Sequence, residues 1–230
     1  MNVNIEKLED EAIRLLELGR LRRSERLFKK VLMSDPSSLT SNFNLARVYR
    51  MTRQYKLALY HARRAIRMNR HELNAHLNLA LIYDLIGKPR LALLNYKKEL
   101  CKNPYSAETL WSIGRFYFSK KRWRKASVYL ERCFNTGYVY DLEDTIYKLG
   151  SCYLNLGDPD SYKKLYTTYI KMAPDSAWAY ANLGHCLLGL KDFRGAALNL
   201  LRAKRAGWKS VDADLNLAKR GLHRMSARNT

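Results

Sequence analysis

The sequence predicts an all-α solenoid, a stack of six helical hairpins followed by one further helix. Three observations support this fold class. Small residues recur at 34-residue intervals, larger apolar residues follow them at helical spacing, and glycine or proline interrupts these runs where a hairpin would turn or stop. With 230 residues and 47% hydrophobic content, the chain also has enough apolar material for a packed interior.

A 34-residue frame divides the chain into six hairpins and a last helix, with one shift of two residues at positions 141 and 142. The hairpins are predicted at 5–38, 39–72, 73–106, 107–140, 143–176 and 177–210. A capping helix is predicted at 211–224, which makes 1–225 a single solenoid domain. The last residues, 226–230, are predicted to form a disordered tail.

The first helix of each hairpin is marked by a small residue at the eighth place of the frame. That place reads Ala12, Ala46, Ala80, Gly114, Gly150, Gly184 and Ala218. Only alanine or glycine lets two helix axes approach closely, because a bulkier side chain would hold them apart. One turn later the eleventh place reads Leu15, Tyr49, Tyr83, Tyr117, Tyr153 and Leu187.

The second helix of each hairpin repeats this pattern. Its small contacts are Ser24, Ala58, Ala92, Ala126 and Ala196, and the larger residues four positions later are Phe28, Tyr96, Leu130, Tyr166 and Leu200. In the fifth hairpin Tyr162 stands at the small-residue place. A slip of that helix by one residue would bring Ser161 there instead.

Turns and stops agree less uniformly between the hairpins. The turn place holds Gly19, Gly87 and Gly157 in three hairpins and Arg53, Lys121 and Lys191 in the other three. Pro36, Pro104 and Pro174 stop three of the second helices. The join at 135–142 carries the two-residue shift, and we expect the stack to bend or hinge there.

The opening helix is unusually acidic for this chain. Its first turns carry Glu6, Glu9, Asp10 and Glu11, which suit the positive end of a helix and a solvated cap.

Residues 73–106 are the clearest copy of the repeating unit. Leu79, Ala80 and Tyr83 stand at helical spacing, Gly87 and Pro89 break the pattern, Ala92 and Tyr96 restart it, and Pro104 stops it. This order resembles the tetratricopeptide repeat, a helix–turn–helix unit of 34 residues. The resemblance implies a right-handed superhelix whose first helices line a concave groove, with ligand contacts from the second, fifth, sixth, ninth, twelfth and thirteenth places of each repeat.

Those places carry asparagine, aromatic and cationic residues in this chain. The groove residues that the resemblance implies are Phe43, Asn44, Arg47, Arg50, Asn74, Asn78, Trp111, Arg115, Phe118, Tyr147, Trp178, Asn182 and His185. An asparagine side chain offers a donor and an acceptor, so a row of them can bind the backbone of an extended partner segment. The alternative is that the asparagines solvate an inner helical face and the aromatic residues pack between repeats.

One specialised groove is not expected. The carboxylate clamp of chaperone-binding relatives needs lysine and asparagine in one repeat, asparagine in the next and two cations in the third. Only the middle asparagine has a counterpart here, and Glu9 or Glu108 would face the anionic peptide terminus. We therefore expect weak binding of chaperone tails.

The charge of the chain is strongly positive, with 42 lysine and arginine residues against 21 acids. This excess favours an anionic partner, such as an acidic protein, RNA or an anionic membrane surface. The basic surface is predicted to comprise Lys56, Arg63, Arg64, Arg67, Lys120, Lys121, Arg122, Arg124 and Lys125. Trp123 lies within the densest basic run and either stacks on a base or packs into its hairpin, as Tyr55 and Phe193 are expected to do.

No pattern of a catalytic site is found in the sequence. A Gly-rich phosphate loop and a metalloprotease motif are both missing, the five histidines are scattered, and the four cysteines form no C-x-x-C pair. We expect no catalysis, cofactor, metal or small-molecule substrate. The N-terminus does not resemble a signal peptide and no apolar run is long enough to span a membrane, so a cytoplasmic scaffold is the predicted class.

Overall fold

The computed structural model describes residues 4–69, 74–137 and 141–226. These residues form thirteen α-helices and one short 3-10 helix. The helices are α1 Ile5–Glu17, α2 Leu21–Ser34, α3 Leu39–Met51, α4 Tyr55–Met68, α5 Ala75–Leu85, α6 Pro89–Lys102, α7 Ala107–Ser119, α8 Trp123–Asn135, α9 Leu142–Leu156, α10 Pro159–Met172, α11 Ala177–Gly189, α12 Phe193–Arg205, the 3-10 helix Lys209–Val211 and α13 Asp212–Ser226.

The chain divides into two compact units, residues 1–113 and 114–230, with the boundary inside α7. In the first unit α1 pairs with α2, α3 with α4 and α5 with α6, and each hairpin packs on the next through α2–α3 and α4–α5 contacts. In the second unit α8 packs on α9, α10 packs on both α9 and α11, and α12 packs on both α11 and α13. The prediction of one solenoid domain over 1–225 stays a prediction.

Short polar side chains set where several first helices begin. Ser38, Asp141 and Ser176 each accept a hydrogen bond from a backbone N–H of the first turn of the helix that follows. These N–H groups have no partner within the helix, so the caps satisfy them. Second helices begin differently in two places, where Pro89 and Pro159 occupy the first helical position and no N–H is lost.

The hairpin turn has the same backbone conformation in all six copies. The turn residue has a positive φ between 54° and 71°, whether it is glycine or one of Arg53, Lys121 and Lys191. The next residue then donates its N–H to the carbonyl of the eleventh-place residue, as in Gln54 to Tyr49 at 2.8 Å. This is the Schellman geometry that ends a helix in a left-handed residue.

The small residues of the frame lie at the closest helix contacts. Ala12, Ala46, Ala80 and Ala218 are fully buried, and a Cβ added to Gly184 would lie 2.7 Å from Leu200 Cγ. In the second helices the small places are equally buried, and the Ser24 hydroxyl donates to the Ala12 carbonyl oxygen at 2.8 Å. Small residues therefore let the helices approach closely in both units, as the sequence predicts.

Helix α10 does not slip to place Ser161 at the small-residue position. Tyr162 is buried and lies beside Tyr166, with ring centroids 4.6 Å apart, and Ser161 is half-buried. The two tyrosine rings fit because Gly150 opposes them; a Cβ there would lie 2.9 Å from the Tyr166 ring. A glycine on the first helix thus compensates for the missing small residue on the second.

The C-terminal helix begins and ends slightly later than predicted. The predicted range was 211–224, whereas α13 begins at Asp212 after the 3-10 turn and continues through Ser226. Leu215 and Ala218 are buried against the last hairpin, while Leu217, a frame leucine, is exposed. Residues 227–230 of the predicted tail lie outside the described residues, as do 138–140 of the predicted hinge, which stays a prediction.

Candidate functional site

Helix α3 carries the first part of the predicted groove, and α1 helps to fix where it starts. Glu9 accepts hydrogen bonds from the hydroxyls of Ser38 and Ser41 at 2.5 and 2.9 Å. One acidic residue of the opening helix therefore does more than solvate a cap, because it bonds two serines at the start of α3. Phe43, Arg47 and Arg50 follow from that start and lie together beside α5.

Helix α5 carries the next part of the groove, and a glutamate from α6 caps it. Asn74 adopts a left-handed conformation with φ of 65° and makes no side-chain cap. The carboxylate of Glu99 instead accepts three backbone N–H groups, from Asn74 at 2.8 Å, His76 at 3.1 Å and Leu77 at 3.2 Å. Glu99 is 1% exposed, so its carboxyl oxygens find their hydrogen-bond donors in the N–H groups at the start of α5 rather than in water.

Glu99 is not among the residues predicted from sequence, although its place in the repeat carries a signal. The equivalent places in the other repeats are Val31, Ala65, Cys133, Tyr169 and Ala203, all buried. A carboxylate at a place that is otherwise apolar or tyrosine must find hydrogen-bond donors inside the fold. The frame comparison would therefore have predicted an internal cap.

The predicted groove residues of the first unit form a small polar pocket. Its volume is about 150 Å³, and α3, α5 and the start of α7 line it. The lining side chains are Phe43, Arg47, Arg50, Asn74, Leu77, Asn78, Leu81 and Glu108. Two arginines and one glutamate surround an apolar floor of leucines, which fits a polar or acidic segment held by few contacts. Trp111, also predicted for this groove, is half-buried on α7 and does not line the pocket.

The asparagines of the predicted row already make hydrogen bonds within the protein. Asn44 donates to the Thr40 carbonyl at 3.0 Å and accepts from Arg47 at 3.0 Å. Asn78 donates to the Phe43 carbonyl at 3.4 Å and accepts from Arg50 at 3.3 Å. Both are about 5% exposed or less. Their bonds hold α3, α5 and the arginines in place, so the arginines present more accessible polar groups to a ligand than the asparagines do.

Asn182 in the second unit is also hydrogen-bonded within the protein. Its amide nitrogen donates to the Trp178 carbonyl at 2.8 Å, and its oxygen accepts from the Tyr162 hydroxyl at 3.1 Å. The Trp178 ring packs edge-on to Tyr166 and Tyr169, with centroids 5.4 and 6.0 Å away. These two predicted groove residues therefore help to join α10 to α11.

Four other predicted groove residues lie in the second unit. Tyr147 is 54% exposed on α9 and is available to a ligand. Phe118 packs against Trp123 and lies under the Lys148 amine, and Arg115 is half-buried one turn earlier. His185 is exposed, but its Nδ1 lies 3.3 Å from the Asp214 carboxylate of α13, which ties the last hairpin to the capping helix.

The basic surface of the first unit lies on α4. Arg63 donates to the Tyr83 hydroxyl at 2.9 Å, and Arg64 donates to the Pro36 carbonyl at 2.6 Å. Lys56 and Arg67 are exposed on the same helix. These four cations lie on α4, a second helix, and none of them lines the polar pocket that the first helices form.

The basic run of the second unit lies at the turn between α7 and α8. Lys121 is the left-handed turn residue, Lys120 lies over the Phe116 ring, and Lys125 lies over the Tyr117 ring. The Trp123 ring contacts Phe118 edge-on, with centroids 5.2 Å apart. This contact agrees with the packing interpretation of Trp123. Arg122 and Arg124, the remaining predicted members of this surface, are exposed.

Among the described residues, no group of three or more His, Cys, Asp or Glu side chains is arranged to hold a metal ion. The cysteines include Cys152, whose pKa is raised to about 12 by burial, and Cys186, whose pKa burial also raises. Both lie at equivalent packing places of neighbouring repeats. No described helix is both long and apolar enough to cross a membrane.

In each unit, hairpins with small residues at their helix crossings and a left-handed residue at each turn define a helical-repeat protein of the solenoid class. Residues 9–71 and 144–176 match family models described as Tetratricopeptide repeat. Over these two segments the chain consists of tetratricopeptide repeats, and its all-α fold is the solenoid of helical hairpins that the sequence predicts. No curated protein matches it.

Several solved structures share the fold at low sequence identity. The C-terminal part of a TPR repeat-containing protein from Cytophaga hutchinsonii superposes with a TM-score of 0.73 at 15% identity, covering 96% of this chain and 88% of that one. YrrB, described as a TPR protein with an unusual peptide-binding site, gives 0.60 at 18%, covering 86% and 97%. The APC/C hetero-tetramer Cut9-Hcn1 gives 0.64 at 16%, covering 95% of this chain but 43% of that one, so this chain spans less than half of that relative.

Proposed function

We propose that this protein is a non-catalytic cytoplasmic scaffold that binds an extended or helical segment of a partner protein along its first helices and helps to assemble a multiprotein complex. Tetratricopeptide-repeat proteins are generally interaction scaffolds for proteins or peptides. The observation that supports a ligand here is the polar pocket of the first unit, which Phe43, Arg47, Arg50 and Asn78 line together. Arg47 donates a hydrogen bond to Asn44 and Arg50 donates one to Asn78, so both arginines are positioned before a ligand arrives. This lowers the entropic cost of binding.

The pocket favours a partner segment with acidic character. Two guanidinium groups and one carboxylate line it, so the local excess is positive. Guanidinium groups bind carboxylates in a planar two-point geometry, which gives direction as well as affinity. A short acidic stretch beside an apolar residue would pair with Arg47 and Arg50 and contact Leu77 and Leu81.

The test is affinity purification of the full chain followed by mass spectrometry. We expect a Phe43→Ala/Arg47→Glu double variant to lose the partners that the wild type recovers. Both residues are only half-buried, so the variant should fold. Arg26→Glu, which makes the same charge change at an exposed position of α2, is the matched control and should retain them. A folded double variant with an unchanged set of partners would contradict the proposal.

An RNA- or ribosome-associated role is the second candidate, supported by the net charge of +21 and the exposed basic run at the α7–α8 turn. Phosphate contacts predict retention on RNA that falls steeply as salt rises. Performing the purification with and without nuclease separates the two roles, because protein partners that survive nuclease argue against RNA. Liposomes with and without acidic lipid test the remaining alternative, an anionic membrane surface, in the same way.

A further inference from the structure

The described residues of the first unit also form an open groove on the second-helix side, distinct from the polar pocket of the first helices. We call it the outer groove. Its volume is about 760 Å³, against about 150 Å³ for the polar pocket. Helices α4 and α6 form its walls, and residues of α5 form its floor.

The outer groove has an apolar floor and partly exposed apolar walls. Leu79 and Tyr83 of α5 form the floor and are buried. Leu91 and Leu94 of α6 and Tyr60 of α4 are 39%, 49% and 51% exposed. Large apolar side chains that share one open groove mark an interaction site more strongly than the same residues scattered singly would.

The rim of the outer groove is cationic. Lys56, Arg63 and Arg67 lie at positions i, i+7 and i+11 of α4, which places them along one face of that helix, and Lys98 stands on α6. All four are exposed. Of the described residues that line the groove, none is acidic. The rim therefore complements negative charge.

The second unit contains the equivalent groove with different chemistry, which shows that this surface is not a general result of the repeat. There α8, α9 and α10 take the places of α4, α5 and α6, and the volume is about 260 Å³. The frame puts Glu131 where the outer groove has Arg63, and Lys164 where it has Leu94. An apolar floor with a purely cationic rim is therefore a property of the first-unit groove.

We propose that the outer groove binds an amphipathic helix of a partner protein, with apolar side chains on the face that enters the groove and Asp or Glu along both edges. From Lys56 to Arg67 the rim runs about 16 Å along α4, which is three turns of a helix. A helix satisfies its own backbone hydrogen bonds, whereas an extended segment would lay unpaired backbone groups on an apolar floor. The inference deepens the acidic-partner part of the proposed function and rests on it.

Phosphate ligands fit this groove less well. Single-stranded nucleic acid needs aromatic faces on which successive bases stack. Tyr60 presents one exposed ring, Tyr83 is buried in the floor, and the other apolar wall residues are leucine and isoleucine. A bilayer surface cannot follow a recess between two helices, because lipid binding favours apolar groups that project outward. The observations therefore favour a protein helix over either phosphate source.

The test uses a designed peptide and the full chain. The probe is a fluorescein-labelled helical peptide of about 18 residues with leucine at i, i+4, i+7 and i+11 and glutamate on both flanks. Fluorescence anisotropy in about 0.1 M NaCl should show saturable binding. Leu94→Lys, which copies the second-unit residue, and the pair Arg67→Glu/Lys98→Glu should each weaken it by about tenfold or more.

The matched control is Arg124→Glu, since Arg124 occupies in the second unit the frame place that Lys56 occupies in the first. It should leave the dissociation constant within about twofold. All substituted side chains are largely exposed, so circular dichroism should show unchanged folding.

Three results would overturn the inference. Equal binding of a peptide with the same composition in a non-amphipathic order would contradict recognition of an amphipathic helix. If charge reversal abolishes binding but Leu94→Lys has no effect, the apolar residues of the groove do not contribute to binding. Docking of an acidic partner, and with it the proposed function, would then still stand. The protein could instead bind single-stranded RNA or phosphatidylserine vesicles, lose that binding in the rim variants, and fail to bind the peptide. That result would show that the rim cations bind phosphate groups rather than a protein helix.

Discussion

Three charged residues at hairpin turns adopt a backbone conformation that glycine adopts more easily. Arg53, Lys121 and Lys191 have φ values of 60°, 54° and 61°, close to those of Gly19 and Gly87 in the equivalent turns. A side chain in this left-handed region costs roughly 1–2 kcal/mol, because its Cβ crowds the following carbonyl oxygen. The fold accepts that cost at each of the three turns.

Lys121→Gly should therefore raise the free energy of unfolding by about 0.5–1 kcal/mol, after subtracting the greater entropy that glycine has in the unfolded chain. Lys120→Gly is the control, because Lys120 is not among the positive-φ residues and gains nothing from the change. Urea unfolding followed by circular dichroism measures both. A loss of stability in both variants would show that the Lys121 side chain contributes more than its backbone costs.

The buried cap on α5 makes Glu99 the carboxylate whose removal should cost most. Replacing it with glutamine removes the charge and turns an amide NH₂ toward backbone N–H groups that need an acceptor. We expect Glu99→Gln to lower the free energy of unfolding by about 2 kcal/mol and to speed amide hydrogen exchange at the start of α5. Lys97→Gln, exposed on the same helix, should change it by less than about 0.5 kcal/mol. Equal exchange rates would mean that water replaces the cap without cost.

The half-buried ring of His61 should make stability depend on pH. Burial, with help from the charges of Arg64 and Lys29, lowers its pKa from 6.5 to about 4, and its Nδ1 lies 3.0 Å from the Asn42 amide oxygen. Between these two values the unfolded chain binds a proton that the folded protein does not, so stability is lost as pH falls from 6.5 to 4.

His61→Gln should remove that loss. Between pH 7 and about 4.5 the free energy of unfolding of the wild type should fall by roughly 1–2 kcal/mol more than that of the variant, allowing for solvent screening of a half-exposed ring. Parallel pH series of thermal unfolding measure the difference. Identical slopes would exclude His61 as the titrating group.

At the scale of the helix, glycine has two opposite roles within α11. Gly184 faces Leu200, and an added Cβ would lie 2.7 Å from Leu200 Cγ, whereas a Cβ on Gly189 would meet nothing within 4 Å. Helix propensity favours alanine at both positions, but only the first has a steric cost.

Gly184→Ala should therefore lower the melting temperature, with a net loss of about 1 kcal/mol, and Gly189→Ala should leave it unchanged or raise it slightly. Thermal melting followed by circular dichroism on the two single variants provides the comparison. A stable Gly184→Ala protein would mean that α11 and α12 separate easily.

The helices could be predicted from sequence because their signals are local. A small residue, a large residue one turn later and a breaker specify a hairpin within 34 residues. Each successive pair of helices from α1 to α12 accordingly lies within one predicted hairpin, except that α9 begins one residue early. The ligand surface could not be predicted in the same way. The bonds between Asn78 and Arg50 and between His185 and Asp214 depend on atoms that only the packed structure brings together. The outer groove likewise could not be predicted, because its shape depends on how side chains of α4 and α6, which lie about one repeat apart in sequence, pack around α5.

For the whole molecule, the charge is the dominant property. Lysine and arginine outnumber aspartate and glutamate by 42 to 21, so even complete one-to-one pairing would leave an excess of 21 positive charges. Like charges at this density repel and weaken the folded state, while they draw anionic partners from a distance. The chain therefore has an electrostatic cost when free that an acidic partner would relieve.

Raising NaCl from about 0.02 to about 0.3 M should increase the melting temperature by several degrees, because screening reduces that repulsion. Choline chloride at equal ionic strength is the control for specific sodium effects. A melting temperature that falls with salt would show that surface ion pairs such as Glu25–Lys29 outweigh the repulsion.

The tyrosine at the eleventh place has a consequence for how such a protein can diverge. The Tyr49 hydroxyl donates to Glu25, the Tyr83 hydroxyl accepts from Arg63, and the Tyr153 hydroxyl donates to Glu131, each bond reaching back to the preceding repeat. Because a hydroxyl can donate or accept, the same residue accommodates either sign of charge. The second helix of a repeat can therefore exchange an acid for a base, and so change the charge of the partner it attracts. The tyrosine on the next first helix does not have to change with it.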